Sequence, residues 1–373
     1  MESKDVKHLK KVSTRQDITA NYDADLAIDQ REFFRNKIVL ITGGTGSLGK
    51  ILCKKIIQYE IKKIIIYSRD EFKQKQMKKE FCDVLEKMVF RIGDVRDYDS
   101  LLRALKDVNI VFHTAALKDI IVDENNPLEA IETNIIGAKN VVYASINQNV
   151  DKVINISTDK AIRPKNAYGA TKLLTEKIVS AASKESQHTI LCTVRYGNVL
   201  GSRGSIVPLV IEQIITQNKV EMTDPDMTRY IMSLHEAAGL VLSAAKIARG
   251  GETFVLKMKS IRLDSYIKNI ILCATEKLGL PEPKNIEIIG SRQGEKKHEV
   301  LLFQDENVQR IKDKLFIITS NPTSDLSEDK KWYSSEIASK ISDSEIQKII
   351  LDYITENIST TSKIARFGAL FSV

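Results

Sequence analysis

The stretch KIVLITGGTGSLGK, residues 37–50, decides the fold. Lys37 to Thr42 is a β-branched apolar run of strand length, and a glycine-rich turn leads from it into a helical pattern that opens near Ser47. Gly44, Gly46 and Gly49 fit G-x-G-x-x-G, and Gly43, Gly46 and Gly49 also fit G-x-x-G-x-x-G. Glycines at these positions make the turn tight and let the backbone approach a pyrophosphate held at the helix N-terminus. A lone match is weak, because glycine turns are common; the strand before it and the helix after it favour a bound dinucleotide over a bare turn.

Working outward, the chain alternates short strands with longer helices. Strands are expected at Lys63 to Tyr67, Met88 to Ile92, Asn109 to Thr114, Lys152 to Ser157 and Thr189 to Arg195, with helical patterns at about Glu71 to Glu86, Tyr98 to Leu105, Leu128 to Ile146 and Ala167 to Ser183. That alternation predicts an α/β protein built on a doubly wound parallel sheet with right-handed crossovers. The division expected is an N-terminal extension over 1–36, a dinucleotide-binding domain over 37–200, a substrate-binding region over 201–330 partly interleaved with it, and a terminal helix and tail over 331–373. Beyond Arg195 the pattern reads as loops and helices with few strands, an appendage of the kind that closes over the carboxyl ends of such a sheet. Ser342-Asp343-Ser344-Glu345 reads as a capping box that opens the last helix.

Composition narrows the partners. With 373 residues, 43% hydrophobic and 28% charged, the chain can bury a sizeable core. Its 56 Lys+Arg against 49 Asp+Glu leave +7, but both signs are interspersed, which suits an anionic small ligand and argues against nucleic acid. Cys53, Cys82, Cys192 and Cys273 lie far apart without metal-ligand spacing, so they read as buried thiols in a reducing compartment, with no metal site. No apolar run approaches a membrane span and Met1 to Lys11 is charged, so a cytoplasmic protein without membrane contact is expected.

About twenty residues past the glycine loop stands Tyr67-Ser68-Arg69-Asp70. An acidic residue there would bind the 2′-hydroxyl of NAD, and an arginine would accept a 2′-phosphate. Arg69 favours NADP, and Asp70 keeps NAD open. Asp94-Val95, after the third strand, falls where adenine could be contacted, against the alternative of a turn aspartate that caps the next helix.

Tyr168-x-x-x-Lys172 sets a phenol and an ammonium one turn apart on a helix face, where the cation favours the tyrosinate needed as a base at a carbinol. Tyr59 and Lys63 share the spacing by chance, but only Tyr168 follows the fifth strand. Just before it, Ser157-Thr158-Asp159-Lys160-Ala161 puts a hydroxyl, a carboxylate and an amine at that strand's carboxyl end. A simple alcohol dehydrogenase needs only the hydroxyl with the tyrosine and lysine. The extra carboxylate and amine imply extra proton transfers, such as an elimination; without the nearby tyrosine they would read as a surface ion pair.

These residues resemble the extended short-chain dehydrogenase/reductases, and within them the 5-inverting UDP-N-acetylglucosamine 4,6-dehydratases that open the pseudaminic acid pathway. The likeness runs through ITGGTGSLGK (41–50), IYSRDEFKQ (66–74), GDVRD (93–97), AALK (115–118), STDKAIRPKNAYGATK (157–172), VRYGNVLGSRGSIVP (194–208), TDPDMTRYIM (223–232), GGETFVLKM (250–258) and RQGEKKHEVLL (292–302). It implies a Rossmann fold and a cycle without net redox. Tyr168, helped by Thr158 and Lys172, takes the proton at carbon 4 of the sugar as hydride passes to NADP. Lys160 removes the carbon 5 proton, Asp159 protonates the hydroxyl leaving carbon 6, hydride returns to carbon 6, and reprotonation inverts carbon 5. Lys160 must be neutral for this, so its pKa is expected to fall.

The resemblance also implies cofactor contacts at Gly43, Thr45, Gly46, Ser47, Leu48, Gly49, Ser68, Arg69, Asp70, Lys73, Asp94, Val95, Ala115, Ala116, Lys118, Asn134, Tyr168, Lys172, Tyr196 and Asn198. Lys118, Asn198, Arg203, Ser205, Arg229, Arg292 and Glu295 fall to the UDP-sugar, the arginines as diphosphate or uridine ligands against the alternative of surface salt bridges. A homo-oligomer, dimer or hexamer, is implied as well. The chain departs from the family at Asp119-Ile120-Ile121, where His-x-Pro follows AALK, and at Gln293, where R-P-G-E-K carries its proline. The competing readings are a 5-retaining dehydratase, a nucleotide-sugar 4-epimerase, which has no need of Asp159 and Lys160, and a catalytically silent NADP-sensing protein.

Overall fold

The structure, a computed structural model, describes residues 29–202, 204–303, 306–311, 315–319 and 333–358. Six parallel strands lead it: β1 (Ile38–Thr42), β2 (Lys63–Ser68), β3 (Met88–Ile92), β4 (Ile110–His113), β5 (Lys152–Thr158) and β6 (Ile190–Tyr196). Their spatial order is β3-β2-β1-β4-β5-β6, the doubly wound order of dinucleotide-binding sheets, as the alternation predicts. Order reverses between β1 and β4, whose ends pair Thr42 with His113, so a crevice opens at that point. Val39, Leu40 and Ile41 are fully buried because helices cover both faces, each worth roughly 1.5–3 kcal/mol of burial.

The sheet does not stop at β6. Thr253–Leu256 pairs parallel with it, and the hairpin of Asn307–Ile311 and Leu315–Thr319 adds two antiparallel strands, giving nine among the described residues. The expectation of few strands beyond Arg195 is therefore corrected: these segments are short and sit among polar loops, so their alternation is too brief to read alone. The connection into Thr253–Leu256 is the helix Leu234–Ile247, opened by a capping box of Ser233 and Glu236. The N-terminal boundary also shifts. Gln30–Phe34 is a short helix, and Phe34 is buried against Tyr59 and Phe112, so residues assigned to the extension belong to the core of the sheet. Residues 1–28 lie outside the described residues.

A second apolar cluster forms where the helices Ile206–Gln217, Leu263–Leu278 and Asp343–Asn357 meet, through Val207, Ile211, Tyr266, Ile270, Ile346 and Ile350. The last of these helices starts at the expected capping box, with Ser342 and Glu345 bonding each other's backbone N–H. A small sheet of Asn198–Val199, Thr228–Met232 and Lys259–Arg262 links this cluster to the end of β6. Among the four cysteines, Cys53, Cys192 and Cys273 are buried as expected, whereas Cys82 is exposed. Among the described residues, no helix is long and apolar enough to cross a membrane.

The expected helix over Leu128 to Ile146 is interrupted. Pro127–Ala130 and Gly137–Asn147 are α-helical, and Ile131–Ile136 between them is a π-helical turn. The wider turn rotates Thr133 toward the crevice and Asn134 toward the loop after β4, the kind of local distortion that collects at functional sites.

Candidate active site

The crevice at the carboxyl ends of β1, β2, β4 and β5 holds about 590 Å³. Its floor is the glycine loop. Gly43 adopts a positive φ of 63° and lies so close to the next loop that a Cβ there would stand 2.8 Å from Ala115; a Cβ at Gly49 would stand 2.6 Å from Gly44. Gly46 occupies the N-cap of Ser47–Ile56 without any side-chain cap, so the helix presents its N-terminal N–H groups to the crevice. A dinucleotide pyrophosphate fits that cradle.

Along one rim stand Ser68, Arg69, Asp70 and Lys73, with Asp94 and Val95 beside them. Asp70 caps Glu71–Glu80 through the Lys73 N–H at 2.8 Å and pairs with the Lys73 ammonium at 2.6 Å. Arg69 stands half-exposed, 3.6 Å from Asp94. The acidic group of this rim is thus engaged by its own helix, while the arginine faces the opening.

The other end of the crevice collects Lys118, Thr158, Lys160, Tyr168, Lys172, Tyr196 and Asn198, together with Ala115, Ala116 and Ser205. Asn166 caps Ala167–Glu185 through the Gly169 N–H at 2.7 Å, which fixes where the first turn presents Tyr168. Tyr168 is hydrogen-bonded to Thr158. Thr158 donates to Asp159 at 2.9 Å, and the Lys160 ammonium lies 3.0 Å from both Asp159 Oδ1 and Asn198 Oδ1. Five groups therefore form one hydrogen-bonded row. Burial pushes the Tyr168 phenol up to about 12, with Lys160 and Thr158 pulling against it. Burial also pushes Lys172 down to about 8, partly offset by Glu176. Lys160 is thus a cation that acts on the tyrosine from beyond the Tyr168–Lys172 pair.

The expected fall in the Lys160 pKa is reversed. Burial alone would lower it, but Asp159 at 3.0 Å and Glu299 at 3.5 Å outweigh burial and drive it above its ordinary value. Asp159 is fully buried, which raises its carboxyl despite Lys160.

Several expected ligands are placed elsewhere. Asn134 is spent on the loop after β4: it accepts from the Leu117 N–H at 2.8 Å and donates to Leu117 O and Thr171. Arg229 is buried in an ion pair with Glu295 at 2.7 Å, and both lie outside the crevice lining. Arg292 is exposed and also outside it. Arg203 lies outside the described residues. Ser205 does line the crevice, at the N-terminus of Ile206–Gln217, and its buried hydroxyl has no hydrogen-bond partner among the described residues.

A family model described as polysaccharide biosynthesis protein matches residues 39–320. The chain belongs to this family. A Methanocaldococcus jannaschii relative, described as an uncharacterized membrane protein, is 42% identical over 327 residues, covering 86% of this chain and 97% of its own. A Rickettsia rickettsii protein named UDP-glucose 4-epimerase is 42% identical over 279 residues, covering 73% of this chain and 80% of its own. The solved structure of Pen from Bacillus thuringiensis superposes with a TM-score of 0.82 at 40% identity, over 86% of this chain and 98% of that one.

Within this member of the family, three buried carboxylates near the site escape the sequence reading: Glu176, Glu299 and Asp123. Ser157 donates to Glu176 at 2.5 Å, and Glu176 pairs with Arg195 at 2.6 Å, tying the end of β5 to β6. Asp119, one of the departures from the resembled pattern, caps Ile120–Asn125 by accepting from the Ile121 and Val122 N–H groups. On that short helix Asp123 is fully buried, with both carboxylate oxygens lacking a hydrogen-bond partner among the described residues. Burial, then Asp119 and Glu124, push it up to about 6.

A folded-state value above the unfolded one means the native protein binds more protons, so stability falls as pH rises from about 4 to about 6. Replacing Asp123→Asn is therefore expected to raise the unfolding free energy by about 1–3 kcal/mol above pH 6, with the gain shrinking toward pH 4. Urea unfolding at pH 4 and pH 8 checks it. An equal effect at both pH values would contradict a buried, unpaired carboxylate.

Proposed function

We propose that this protein is an NADP-dependent nucleotide-sugar 4,6-dehydratase that acts on UDP-N-acetylglucosamine and inverts carbon 5, yielding UDP-2-acetamido-2,6-dideoxy-β-L-arabino-hexos-4-ulose for surface-glycan synthesis. The observation that carries this reading is the row from Tyr168 through Thr158 and Asp159 to Lys160, because it supplies an acid and a second base beyond what a 4-epimerase uses. When bound, the nicotinamide dinucleotide supplies the hydride acceptor for carbon 4 and gives the hydride back at carbon 6. Arg69 at the rim, with Asp70 engaged by Lys73, supports a 2′-phosphate over a bare ribose. The Ser205 hydroxyl at a helix N-terminus suits the diphosphate of the sugar nucleotide.

The chain's own chemistry follows from proton positions. Tyr168 takes the proton of the carbon 4 hydroxyl, with Thr158 holding the phenol oxygen in place. One proton shift from Lys160 Nζ to Asp159 Oδ1, across 3.0 Å, creates the neutral amine and the carboxylic acid together. Burial, which raises Asp159, lessens the cost of that shift, against the pull of Asp159 and Glu299 that holds the proton on Lys160. The amine then removes the proton at carbon 5, acidified by the adjacent ketone, and the acid protonates the hydroxyl leaving carbon 6 as water. Afterwards Lys160 again carries a proton and Asp159 none. Reprotonation of carbon 5 on the opposite face by a solvent water, balanced by loss of the Tyr168 proton to the resulting hydroxide, sets the inverted centre. A homo-oligomer agrees with Ile121, Val122, Leu128, Ile131 and Leu174, exposed apolar residues on mutually packed helices.

The second reading, a UDP-hexose 4-epimerase, is favoured by the name of the Rickettsia rickettsii relative. Incubation with UDP-N-acetylglucosamine, followed by proton NMR, separates the two. The dehydratase yields a 6-methyl signal with a 4-keto or hydrated carbon, and its couplings give the configuration at carbon 5. A galacto-configured product with an intact carbon 6 hydroxyl would establish the epimerase, and no turnover of any UDP-hexosamine or UDP-hexose would sink both.

A further inference from the structure

Lys160 does not rest on Asp159 alone. The segment Lys296 to Glu299, far along the chain, returns to the end of β5 and sets the Glu299 carboxylate 3.5 Å from the Lys160 ammonium. This return is built rather than incidental. Lys296 is buried, donates to the Ile162 carbonyl at 2.6 Å and lies 3.4 Å from Glu299 Oε2. The Glu299 N–H donates to Ser335 Oγ at 2.9 Å, and the Ser335 N–H donates to the Glu299 carbonyl at 2.8 Å. Glu299 itself is 2% exposed, so its charge is sustained by neighbours and not by water.

We propose that Glu299 is a positioning residue that completes the acid–base centre: with Asp159 it grips the Lys160 ammonium from two sides, and Lys296 holds Glu299 in place as the second counter-ion. Four alternating charges, Asp159, Lys160, Glu299 and Lys296, then form a buried chain that starts beside the phenol of Tyr168. The other ionisable groups facing it are Arg229, which acts on both Lys160 and Glu299, and Tyr230. Burial would raise the Glu299 carboxyl, but Lys160, Lys296 and Arg229 outweigh it and hold it ionised. Gripping Lys160 from two sides aims the amine at one point in the crevice and keeps its proton available until the shift to Asp159. The charge-balancing role stands on geometry alone; its consequence for turnover rests on the dehydratase reading.

The test is titration of the Lys160 Nζ in full-length protein by ¹⁵N NMR, with the resonance assigned through its loss in Lys160→Arg. In the unsubstituted protein the signal is expected to titrate above those of exposed lysines. In Glu299→Gln its midpoint is expected to fall by a pH unit or more, and in Glu299→Asp to stay nearer the original. An unmoved midpoint in Glu299→Gln, with circular dichroism unchanged, would overturn the proposal. Should Glu299→Gln fail to fold, Lys296→Met provides the same reading: loosening Glu299 from its anchor is expected to move the Lys160 midpoint, and an unmoved midpoint again overturns it. In the turnover arm, Glu299→Gln is expected to lower kcat at least tenfold with KM for UDP-N-acetylglucosamine within a few-fold. An unchanged kcat would remove Glu299 from the chemistry. Absence of turnover in the unsubstituted protein would instead count against the dehydratase reading, leaving the titration result standing.

Discussion

Replacing Tyr168 by phenylalanine is expected to lower kcat by about 10²–10⁴-fold, the range over which a positioned acid–base group contributes, while dinucleotide affinity changes little. The phenol is hydrogen-bonded to Thr158 and faces the crevice, and the ring is held by a helix whose start is fixed by the Asn166 cap. Because burial holds the phenol up to about 12, the phenolate is scarce in the empty enzyme at neutral pH. The rate of the unsubstituted enzyme should therefore rise with pH on its alkaline side. That limb should disappear in Tyr168→Phe, whose residual rate has no phenol to ionise. Steady-state kinetics across pH 6–10 check both, and a retained alkaline limb would assign the base elsewhere.

The second large effect is on stability. Arg195 is almost fully buried between Glu176 at 2.6 Å and Glu306 at 2.8 Å, and it also donates to the Leu301 carbonyl at 2.9 Å. Replacing Arg195→Met leaves the buried Glu176 and the partly buried Glu306 facing each other without the guanidinium between them. The expected loss is about 3–5 kcal/mol, measured as the drop in unfolding free energy in urea. The sign with pH follows. Unpaired buried carboxylates bind protons more tightly in the folded state, so the defect should deepen as pH rises and ease toward pH 5. Removing all three charges at once with Glu176→Leu, Arg195→Met and Glu306→Leu should recover much of the loss. A single Arg195→Met variant as stable as the parent would mean that the cluster contributes nothing. The same variant should slow turnover, because Glu176 accepts from Ser157 in the strand that ends in Thr158.

What could be read in the sequence is what is local. The six leading strands are near-continuous β-branched runs, so their limits fall within a residue or two of β1–β6, and the glycine loop carries its own strand and helix as context. Tyr168 and Lys172 could be placed because a four-residue spacing fixes a helix face whatever surrounds it.

What could not be read depends on residues far apart in the chain. The direction of the Lys160 pKa turns on Glu299, and nothing in Lys296-Lys297-His298-Glu299 says which of four charged or polar residues will be buried. The one available signal is that Glu299 abuts the apolar strand Val300–Leu302, whose neighbours are drawn inward. Asn134 is a cofactor contact on the resemblance alone, and a π-helical turn aims its amide at Leu117. Arg229 reads from the resemblance as a phosphate contact, yet Glu295, next to Lys296 and four residues before Glu299, already pairs with it.

In the proposed cycle, hydride leaves and returns within one sugar, with Tyr168, Asp159 and Lys160 moving the protons. Turnover of UDP-N-acetylglucosamine carrying deuterium at carbon 4 tests it most directly. Deuterium is expected in the carbon 6 methyl group of the 4-keto product, without accumulation of reduced dinucleotide. Deuterium found back at carbon 4 of a galacto-configured sugar would contradict it.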